Sequence, residues 1–281
     1  MKVTLWGTRG SLPSPGPETT RYGGNTSCVE VWGADSTLLV LDAGTGIRRL
    51  GMAVPRSLRR VDILLTHLHM DHVQGLAFFW PLRSPDVEAH IWGPASATLS
   101  LRARLTRYLS PPLFPVFLRD IPALFLHEVP RGDFEVGEFH ISSELVCHPD
   151  STVGYRIATS NAVLTYLPDH EPALGAVKFP LSGDWTSGYA LAAGVDLLIH
   201  DAQYTTEEYA DRIGFGHSSV LQAFAFAALA EVRHLVPFHH DPAHTDDDVD
   251  RLIGETMMST KPRFAVTPGA EGVSFELGLS N

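Results

Sequence analysis

Short runs of apolar and β-branched residues recur along the chain, and polar or glycine-containing stretches separate them. Apolar runs of roughly four to eight residues between turn residues are typical of β-strands. The pattern predicts strands at residues 4–6, 28–32, 38–41, 61–65, 87–92, 139–146, 153–158, 162–167, 195–200 and 234–238. Helical spacing predicts helices at residues 46–54, 73–79, 95–109, 207–213 and 218–230, and a further helix with Thr245 as its N-cap.

The order of these elements indicates the fold class. Strands dominate each half of the chain and helices come at intervals, so we expect two sheets sandwiched between helices. Residues 10–24 are rich in Pro, Gly, Ser and Thr and are expected to form a loop. Residues 81–130 contain several prolines and are expected to be an irregular insertion over the functional site. We expect the whole chain, residues 1–281, to form a single domain.

Composition narrows the class of protein. The chain has 281 residues, 44% of them hydrophobic, and a mean hydropathy of +0.02, which is typical of a globular protein with a sizeable core. No apolar run approaches the roughly 18 residues that span a bilayer, and residues 1–8 lack the features of a secretory signal. Cys28 and Cys147 are too few for a disulfide framework. We therefore expect a cytoplasmic protein without a membrane segment.

The charge balance bears on the class of partner. The formal net charge is −11, from 21 basic and 32 acidic residues. An acidic protein does not attract polyanions through its overall field, and non-specific nucleic-acid binding relies on many Lys and Arg contacts. A long RNA or DNA partner is therefore disfavoured. Arg102, Arg104 and Arg107 could touch a nucleic acid, but a solvated helix face explains them about as well.

Residues 66–72 form the most informative motif of the chain. Four potential metal ligands, His67, His69, Asp71 and His72, follow directly after the predicted strand 61–65. Side chains alternate along an extended chain, so His67 and His69 project the same way and can bind one ion together. Asp71 and His72 lie where the chain turns toward a helix, and they can face a second ion. Imidazole and carboxylate ligands suit zinc, although manganese or iron could occupy the same ligands.

Three further candidate ligands lie at the ends of other predicted strands. His148 follows residues 139–146, Asp169 follows residues 162–167 and His239 follows residues 234–238. Each of them alone would more often be an ordinary polar residue. Because they share this position with the first motif, we interpret them as ligands of the same centre.

In these motifs the chain resembles the metallo-β-lactamase superfamily, whose members carry His-x-His-x-Asp-His, then a later His, a bridging Asp and a final His. The resemblance covers nearly the whole chain and implies an α/β fold, an αββα sandwich of two mixed sheets flanked by helices, with two divalent metal ions. It implies one ion on His67, His69 and His148, a second on Asp71, His72 and His239, and Asp169 as the bridge. His240 is the rival for the last position, and His239 is preferred because it matches the family's His-x-x-Pro pattern through Pro242.

Other stretches resemble the branch that contains the tRNA 3′-processing ribonuclease (RNase Z) and small phosphodiesterases. They are Gly7-Thr8-Arg9-Gly10-Ser11-Leu12-Pro13, Tyr22-Gly23-Gly24-Asn25-Thr26-Ser27-Cys28, His200-Asp201-Ala202-Gln203 and Gly216-His217-Ser218-Ser219. The likeness implies that His217 is a general acid or phosphate contact, that Asp201 is its partner, and that His200 supports the pair. Asp201 stands where the ribonucleases carry a glutamate, one methylene longer. Asp42 matches an Asp-x-Gly turn of the family and would orient a ligand histidine, with an ordinary turn aspartate as the alternative.

We therefore expect a metal-dependent hydrolase, and more specifically a phosphodiesterase for a small nucleotide or sugar phosphodiester, cyclic ones included. Two divalent ions, two aspartates and a bridging hydroxide would leave about one positive charge, which complements a phosphodiester. The alternatives are a tRNA 3′-end endonuclease, a lactamase, thioesterase or lactonase, and a diiron redox protein, against which His69 argues. The expected partner is a small-molecule phosphodiester, and residues 112–115 leave a homodimer contact open.

Overall fold

Two sheets of seven strands each form the frame of the molecule in the computed structural model, which describes residues 1–130, 132–176 and 178–278. The first sheet has the order β14-β1-β2-β3-β4-β5-β6. Its strands are β1 (Lys2–Gly7), β2 (Cys28–Trp32), β3 (Leu38–Leu41), β4 (Arg60–Leu64), β5 (Glu88–Gly93), β6 (Leu124–Glu128) and β14 (Ser274–Glu276).

The second sheet has the order β13-β12-β11-β10-β9-β8-β7. Its strands are β7 (Gly132–Val136), β8 (Phe139–Leu145), β9 (Val153–Ala158), β10 (Val163–Leu167), β11 (Leu197–Asp201), β12 (His234–Phe238) and β13 (Ala265–Val266). Both sheets are mixed. Strands β1, β2 and β3 pair antiparallel, as do β7 to β10, whereas β3 to β6 and β10 to β13 pair parallel.

Helices cover the outer faces of the two sheets. They are α1 (Ile47–Ala53), α2 (Met70–Val73), α3 (Leu101–Tyr108), α4 (Tyr189–Ala192), α5 (Thr206–Ala210), α6 (Val220–Leu229) and α7 (Asp246–Thr260). Thr245 caps α7 as predicted, because its Oγ1 accepts from the Asp248 N–H. None of the helices in the described part of the chain is long and apolar enough to cross a membrane.

Three apolar clusters hold these layers together. The central cluster contains inward-facing side chains of both sheets, among them Leu39, Ile157 and Phe238, all fully buried. A second cluster joins the first sheet to α1 and α3, and a third joins the second sheet to α6 and α7. Burial of apolar surface on both faces of each sheet confirms the predicted αββα sandwich of two mixed sheets flanked by helices.

Most strands lie within two residues of their predicted bounds, but the segment 81–130 is more regular than expected. It contributes β5, α3 and β6 to the first sheet and its covering layer, and irregular chain is concentrated in residues 109–123. The single-domain prediction for residues 1–281 stays a prediction.

The prediction of one helix at residues 73–79 is wrong, because α2 ends at Val73 and a separate 3-10 turn, Leu76–Phe78, follows. Gly75 lies between them. A Cβ there would come within 2.0 Å of the Gly44 carbonyl oxygen, so the chain passes too close to Gly44 for any larger residue.

Candidate metal centre

The predicted ligands come together because the strands that precede them share one edge of the sandwich. Strand β4 leads into His67 and His69 in the first sheet, while β10 and β12 of the second sheet lead into Asp169 and His239. The carboxyl ends of neighbouring parallel strands meet at the same sheet edge, which is where ligand sites of open α/β sheets gather. Residues as many as 172 positions apart in the chain thus become neighbours in space.

His67, His69 and His148 form the first group of potential ligands. Each offers a ring nitrogen, and these atoms lie within 4.8 Å of one another. His69 Nδ1 and His148 Nε2 are 3.3 Å apart. The other nitrogen of His148 is already used, since Nδ1 donates to the Gly216 carbonyl oxygen over 2.8 Å. That bond leaves the Nε2 lone pair of His148 directed at the group.

Asp71, His72, Asp169 and His239 form the second group, again within 4.8 Å. Nε2 of His72 lies 3.2 Å from Asp71 Oδ2 and 3.0 Å from Asp169 Oδ1. Nε2 of His239 lies 3.2 Å and 3.3 Å from the same two oxygens. Asp169 Oδ2 is 3.8 Å from both His67 Nε2 and His148 Nε2, so Asp169 touches both groups. This is the position that a bridging carboxylate needs.

Buried atoms without partners show that the two groups fit cations. Among the described residues, His67 Nε2, His72 Nε2 and Asp169 Oδ1 are buried and have no hydrogen-bond partner. Unsatisfied buried polar atoms are rare because each costs free energy. Three of them facing one another are explained by ligands that a metal ion would satisfy, and the nitrogen and carboxylate donors suit divalent zinc, manganese or iron.

The electrostatics of the second group favour a positive charge between its members. Burial opposes a charge on His72, but Asp169, Asp71 and Asp42 raise its pKa well above the ordinary value. Burial also disfavours the charged form of Asp169, yet the surrounding His239, His72 and His67 lower its pKa well below the ordinary value. Burial and the neighbouring His72 lower the pKa of His67, so His67 offers a free lone pair. A bound cation would take the place of the proton that this cluster attracts.

Asp42 orients His72 from behind. It follows β3, is fully buried and accepts from His72 Nδ1 over 2.8 Å, from the Thr66 N–H over 2.8 Å and from the Tyr166 hydroxyl over 3.0 Å. Asp42 therefore holds a proton on His72 Nδ1, and Nε2 faces the second group, where a bound cation would take the place of its proton. Asp42 thus lies directly behind a ligand candidate, where the resemblance placed it, and its orienting role stays a prediction.

Gln203 orients His239 in the same way, and sequence reasoning gave it no role. Its Oε1 accepts from His239 Nδ1 over 3.0 Å, while its Nε2 donates to Ser11 Oγ and Asp241 Oδ2, each over 3.3 Å. Ser11 also donates its N–H to Asp71 Oδ2 over 2.8 Å. The available signal was position, because Gln203 lies two residues after Asp201 at the end of β11 and points to the same face.

His217 and Asp201 form a dyad beside the two groups. His217 Nδ1 lies 2.7 Å from Asp201 Oδ2, so the shorter aspartate does reach the ring. Asp201 also accepts from the Ser218 N–H over 3.0 Å and the Gln203 N–H over 3.1 Å. Burial opposes protonation of His217, but Asp201, and after it Asp169 and Asp71, raise its pKa to about 9. The His217 ring stacks on His239 at 5.0 Å, and 11% of its side chain is exposed.

Glu171 fixes the loop that precedes His217, and it too had no role in the sequence analysis. This fully buried carboxylate accepts from the Gly214 N–H over 3.0 Å, the Gly216 N–H over 3.1 Å and the Tyr209 hydroxyl over 2.7 Å. Gly216 in turn accepts from the ligand candidate His148. Glu171 therefore positions His217 and His148 together. Its position directly after Asp169-His170 was the available signal.

The remaining histidines lie outside the two groups. His200 is fully buried behind Asp201 and contacts the Asp201 carbonyl oxygen over 2.7 Å and His170 over 2.9 Å. Burial lowers the pKa of His200 to about 4, although Asp201 raises it in part, so His200 is neutral. His240, the rival of His239, donates to the Gly269 carbonyl oxygen over 2.8 Å and lies away from the cluster.

A cavity of about 260 Å³ opens beside the first group. Its walls include His67, His69, Leu68, Arg104 and Arg107. A larger cavity of about 550 Å³ lies between α6 and the residues that follow α7, and no ligand candidate lines it. We take the smaller cavity as the approach to the centre because chemistry-bearing residues converge only there among the described cavities.

Comparison with known proteins identifies the family and the fold of this chain. The family model of the beta-lactamase superfamily domain matches residues 37–240. A ribonuclease Z of Gemmatimonas aurantiaca is 25% identical over 284 aligned residues, which cover 86% of this chain and 87% of the relative. The structure of YhfI from Bacillus subtilis, a metallo-beta-lactamase fold protein, has a TM-score of 0.71 at 19% identity and covers 98% of both chains. A diphosphatase of the PhnP family has a TM-score of 0.69 at 17% identity and covers 99% of both chains.

The matched region includes strands β3 to β12, the seven ligand candidates, and Asp201 and His217, so the comparison concerns the site as well as the frame. The fold implies divalent metal ions, and the His and Asp cluster is the place that would hold them. On the family model and the sequence relatives, the chain belongs to the beta-lactamase superfamily, in the branch that contains the ribonuclease Z proteins.

Proposed function

We propose that this protein is a metal-dependent phosphodiesterase that acts on small phosphodiesters, nucleotides and sugar phosphates among them. The observation that carries the proposal is the hydrogen-bonded pair of His217 and Asp201 beside the His and Asp cluster. Hydrolysis of a phosphodiester with a poor leaving group needs a proton for the departing oxygen. A histidine held next to the cluster supports that step.

His67, His69 and His148 would hold one ion, and Asp71, His72 and His239 the other, with Asp169 between them. Divalent ions bound there would polarise a phosphodiester and lower the pKa of a coordinated water toward about 7. Zinc is the metal we propose on the donor set.

His217 performs the proton transfer in this proposal. Asp201 accepts the Nδ1 proton of His217, so the other ring nitrogen, Nε2, is free to hold a second proton for the departing oxygen. Three backbone N–H groups, those of His170, Gln203 and Ser218, also donate to Asp201 and hold its carboxylate against the ring. Glu171 keeps the loop in place, so the ring loses little entropy on reaching the reactive position.

Two kinetic comparisons test the proposal. Wild type and His217→Ala are loaded with zinc, their metal content is measured, and their turnover of two diesters is compared. Adenosine 2′,3′-cyclic phosphate has a poor leaving group, and bis-p-nitrophenyl phosphate has a good one. Loss of a general acid should lower kcat by about 10²- to 10⁴-fold with the cyclic nucleotide and by much less with the nitrophenyl ester.

His140→Ala is the matched control, since His140 is an exposed histidine on β8 whose one ion pair among the described residues is with Asp133. Equal losses with both diesters would assign His217 to phosphate binding instead of proton transfer. A wild-type protein that carries two metal ions and hydrolyses neither diester would contradict the proposed function.

A tRNA 3′-end endonuclease is the second candidate, because a ribonuclease Z is among the sequence relatives. Against it stands the net charge of −11, which opposes binding of a long polyanion. Cleavage of a precursor tRNA with a kcat/KM far above that for the cyclic nucleotide would reverse this order. Salt dependence adds a second criterion, since tRNA binding should weaken steeply as salt rises.

A further inference from the structure

Two arginines of α3 line the cavity that opens at the metal centre. Arg104 and Arg107 share its walls with His67 and His69. They are three positions apart on one helix, which places both guanidinium groups on one face of α3. Arg102, on the same helix, is exposed and does not line this cavity. The helix therefore directs two of its three arginines at the approach to the centre.

These two cations have no carboxylate partner within 4.0 Å among the described residues. Arg104 donates from Nη2 to the Pro94 carbonyl oxygen, while its Nε is buried and lacks any partner in the described part of the chain. Arg107 has no side-chain hydrogen bond at all within that part. The half-buried guanidinium of Arg104 has lost part of its hydration, and an oxyanion would replace it with charge-assisted hydrogen bonds.

The negative charges near the pair are weak competitors. Asp150 also lines this cavity, but 88% of its side chain is exposed and its Oδ2 lies 3.9 Å from His69 Nε2. Burial lowers the pKa of Arg104, and the more distant Glu128 raises it in part. An exposed carboxylate is screened by water and salt, so the two arginines keep a net positive charge at the cavity in a chain that is acidic overall.

We propose that Arg104 and Arg107 form a subsite for a second phosphate group of the substrate, beside the phosphodiester held at the metal centre. The proposal rests on the proposed function and adds the substrate class: a phosphodiester that also carries a phosphate monoester. Two guanidinium groups complement the two charges of a monoester better than the single charge of a diester. Arginine is also the side chain best suited to bidentate phosphate contacts.

A second cavity extends the same path and accounts for the rest of such a molecule. It has about 310 Å³, and it shares Leu68, Arg104 and Arg107 with the first cavity. Its other walls are Met70, Val73, Leu105, Tyr108 and Leu113. Apolar walls on the far side of the arginines suit a planar or apolar group such as a nucleobase. The two cavities and the arginines between them would then contact three parts of one substrate.

The test is binding of adenosine 5′-monophosphate and of adenosine to the metal-loaded protein, measured by calorimetry at low salt. Arg107→Glu is the test variant, because Arg107 is exposed and its replacement should leave the fold intact. Arg102→Glu changes the net charge by the same amount on the same helix. We expect the monophosphate to bind about 10- to 100-fold more weakly to Arg107→Glu than to Arg102→Glu, which should resemble wild type. Adenosine should bind equally to all three proteins.

The same variants are then compared in turnover of adenosine 2′,3′-cyclic phosphate with and without a 5′-phosphate. Wild type should prefer the 5′-phosphorylated form, and that preference should fall about tenfold in Arg107→Glu. Equal monophosphate binding by the two variants, or no binding to wild type, would overturn the subsite. Binding that depends on Arg107 without turnover of any diester would retain the subsite and contradict the proposed function instead.

Discussion

Replacing Asp42 by asparagine keeps the shape of this side chain and removes its charge. The backbone at residue 42 has a φ of 57°, a left-handed conformation that aspartate and asparagine both tolerate, so Asp42→Asn should not disturb the chain. What changes is the set of hydrogen bonds. Asp42 accepts from the Thr66 N–H through one oxygen and from His72 Nδ1 and the Tyr166 hydroxyl through the other.

An asparagine cannot satisfy both sets. If its amide nitrogen faces Thr66, two donors meet at about the 2.8 Å that now separates Asp42 Oδ1 from the Thr66 nitrogen. If the amide nitrogen faces His72, the ring must accept at Nδ1, and its proton moves to Nε2. That nitrogen is the one that lies 3.0 Å from Asp169 Oδ1 in the second ligand group, so the lone pair for the metal is lost.

Both arrangements have a cost that can be measured. Loss of a partner behind a metal ligand typically weakens metal binding by about 10- to 100-fold. Loss of one hydrogen bond to a buried charged group should lower the free energy of unfolding of the metal-free protein by about 1.5–3 kcal/mol. Zinc affinity is measured by competition with a chromophoric chelator, and unfolding by urea titration in excess chelator, so that the two effects are separated.

Asp62→Asn is the matched control. Asp62 is also fully buried, on β4, and it accepts from Arg60 and from Trp92 Nε1, away from the ligand groups. We expect Asp62→Asn to lower stability and leave zinc affinity within about threefold of wild type. If Asp42→Asn binds zinc as tightly as Asp62→Asn does, the argument from the His72 tautomer is wrong.

Further predictions concern the loop, the dyad, the helix cap and the metal. Glu171→Gln replaces one acceptor oxygen by an amide nitrogen, a donor that would face the donors of residues 209, 214 and 216. It should therefore lower stability by about 1–3 kcal/mol and weaken metal binding at His148, measured by urea unfolding and chelator competition. In metal-free protein His217 should titrate near pH 9 by NMR, and Asp201→Asn should lower that pKa. Since the folded-state pKa is the higher one, this pair stabilises the metal-free fold fully below about pH 6.5, and the contribution disappears as the pH rises through about 9. Thr245→Ala should lower the free energy of unfolding by about 1 kcal/mol through loss of the α7 cap, with metal content unchanged. Chelation of the metal should lower Tm, and added zinc should restore it; an equal Tm with and without chelator would argue against metal ligation by the folded state.

Local patterns were sufficient for much of the frame and for the ligand candidates. The strand predicted at 61–65 and the four candidate ligands after it are adjacent in sequence, so their spacing alone indicates a metal site. The strands β6 and β7, which lie at the edges of the two sheets, were not predicted. Asp133 and Glu135 interrupt the apolar pattern of β7, and β6 has an apolar run of only three residues, 124–126.

The supporting residues were harder to predict because their roles depend on contacts across the chain. Glu171 acts on residues 214–216, and Gln203 acts on His239 and Ser11. No regular spacing in the sequence links such positions. The sequence also does not distinguish a glutamate or glutamine that is buried in the fold from one that is exposed. Likewise, Arg104 and Arg107 were interpreted as a solvated face or a nucleic-acid contact, since the cavity they line exists only after α3 packs beside the centre.

Each ligand group takes members from both sheets. His67 and His69 follow a strand of the first sheet and His148 a strand of the second, and the other group is divided in the same way. Ions bound there would cross-link the two sheets. Metal binding and the packing of one sheet on the other would therefore be thermodynamically coupled. A core substitution between the sheets, many residues away from any ligand, would then change the metal affinity before it changed anything else that is measured. Conversely, loss of metal would weaken the packing between the two sheets before either sheet unfolded.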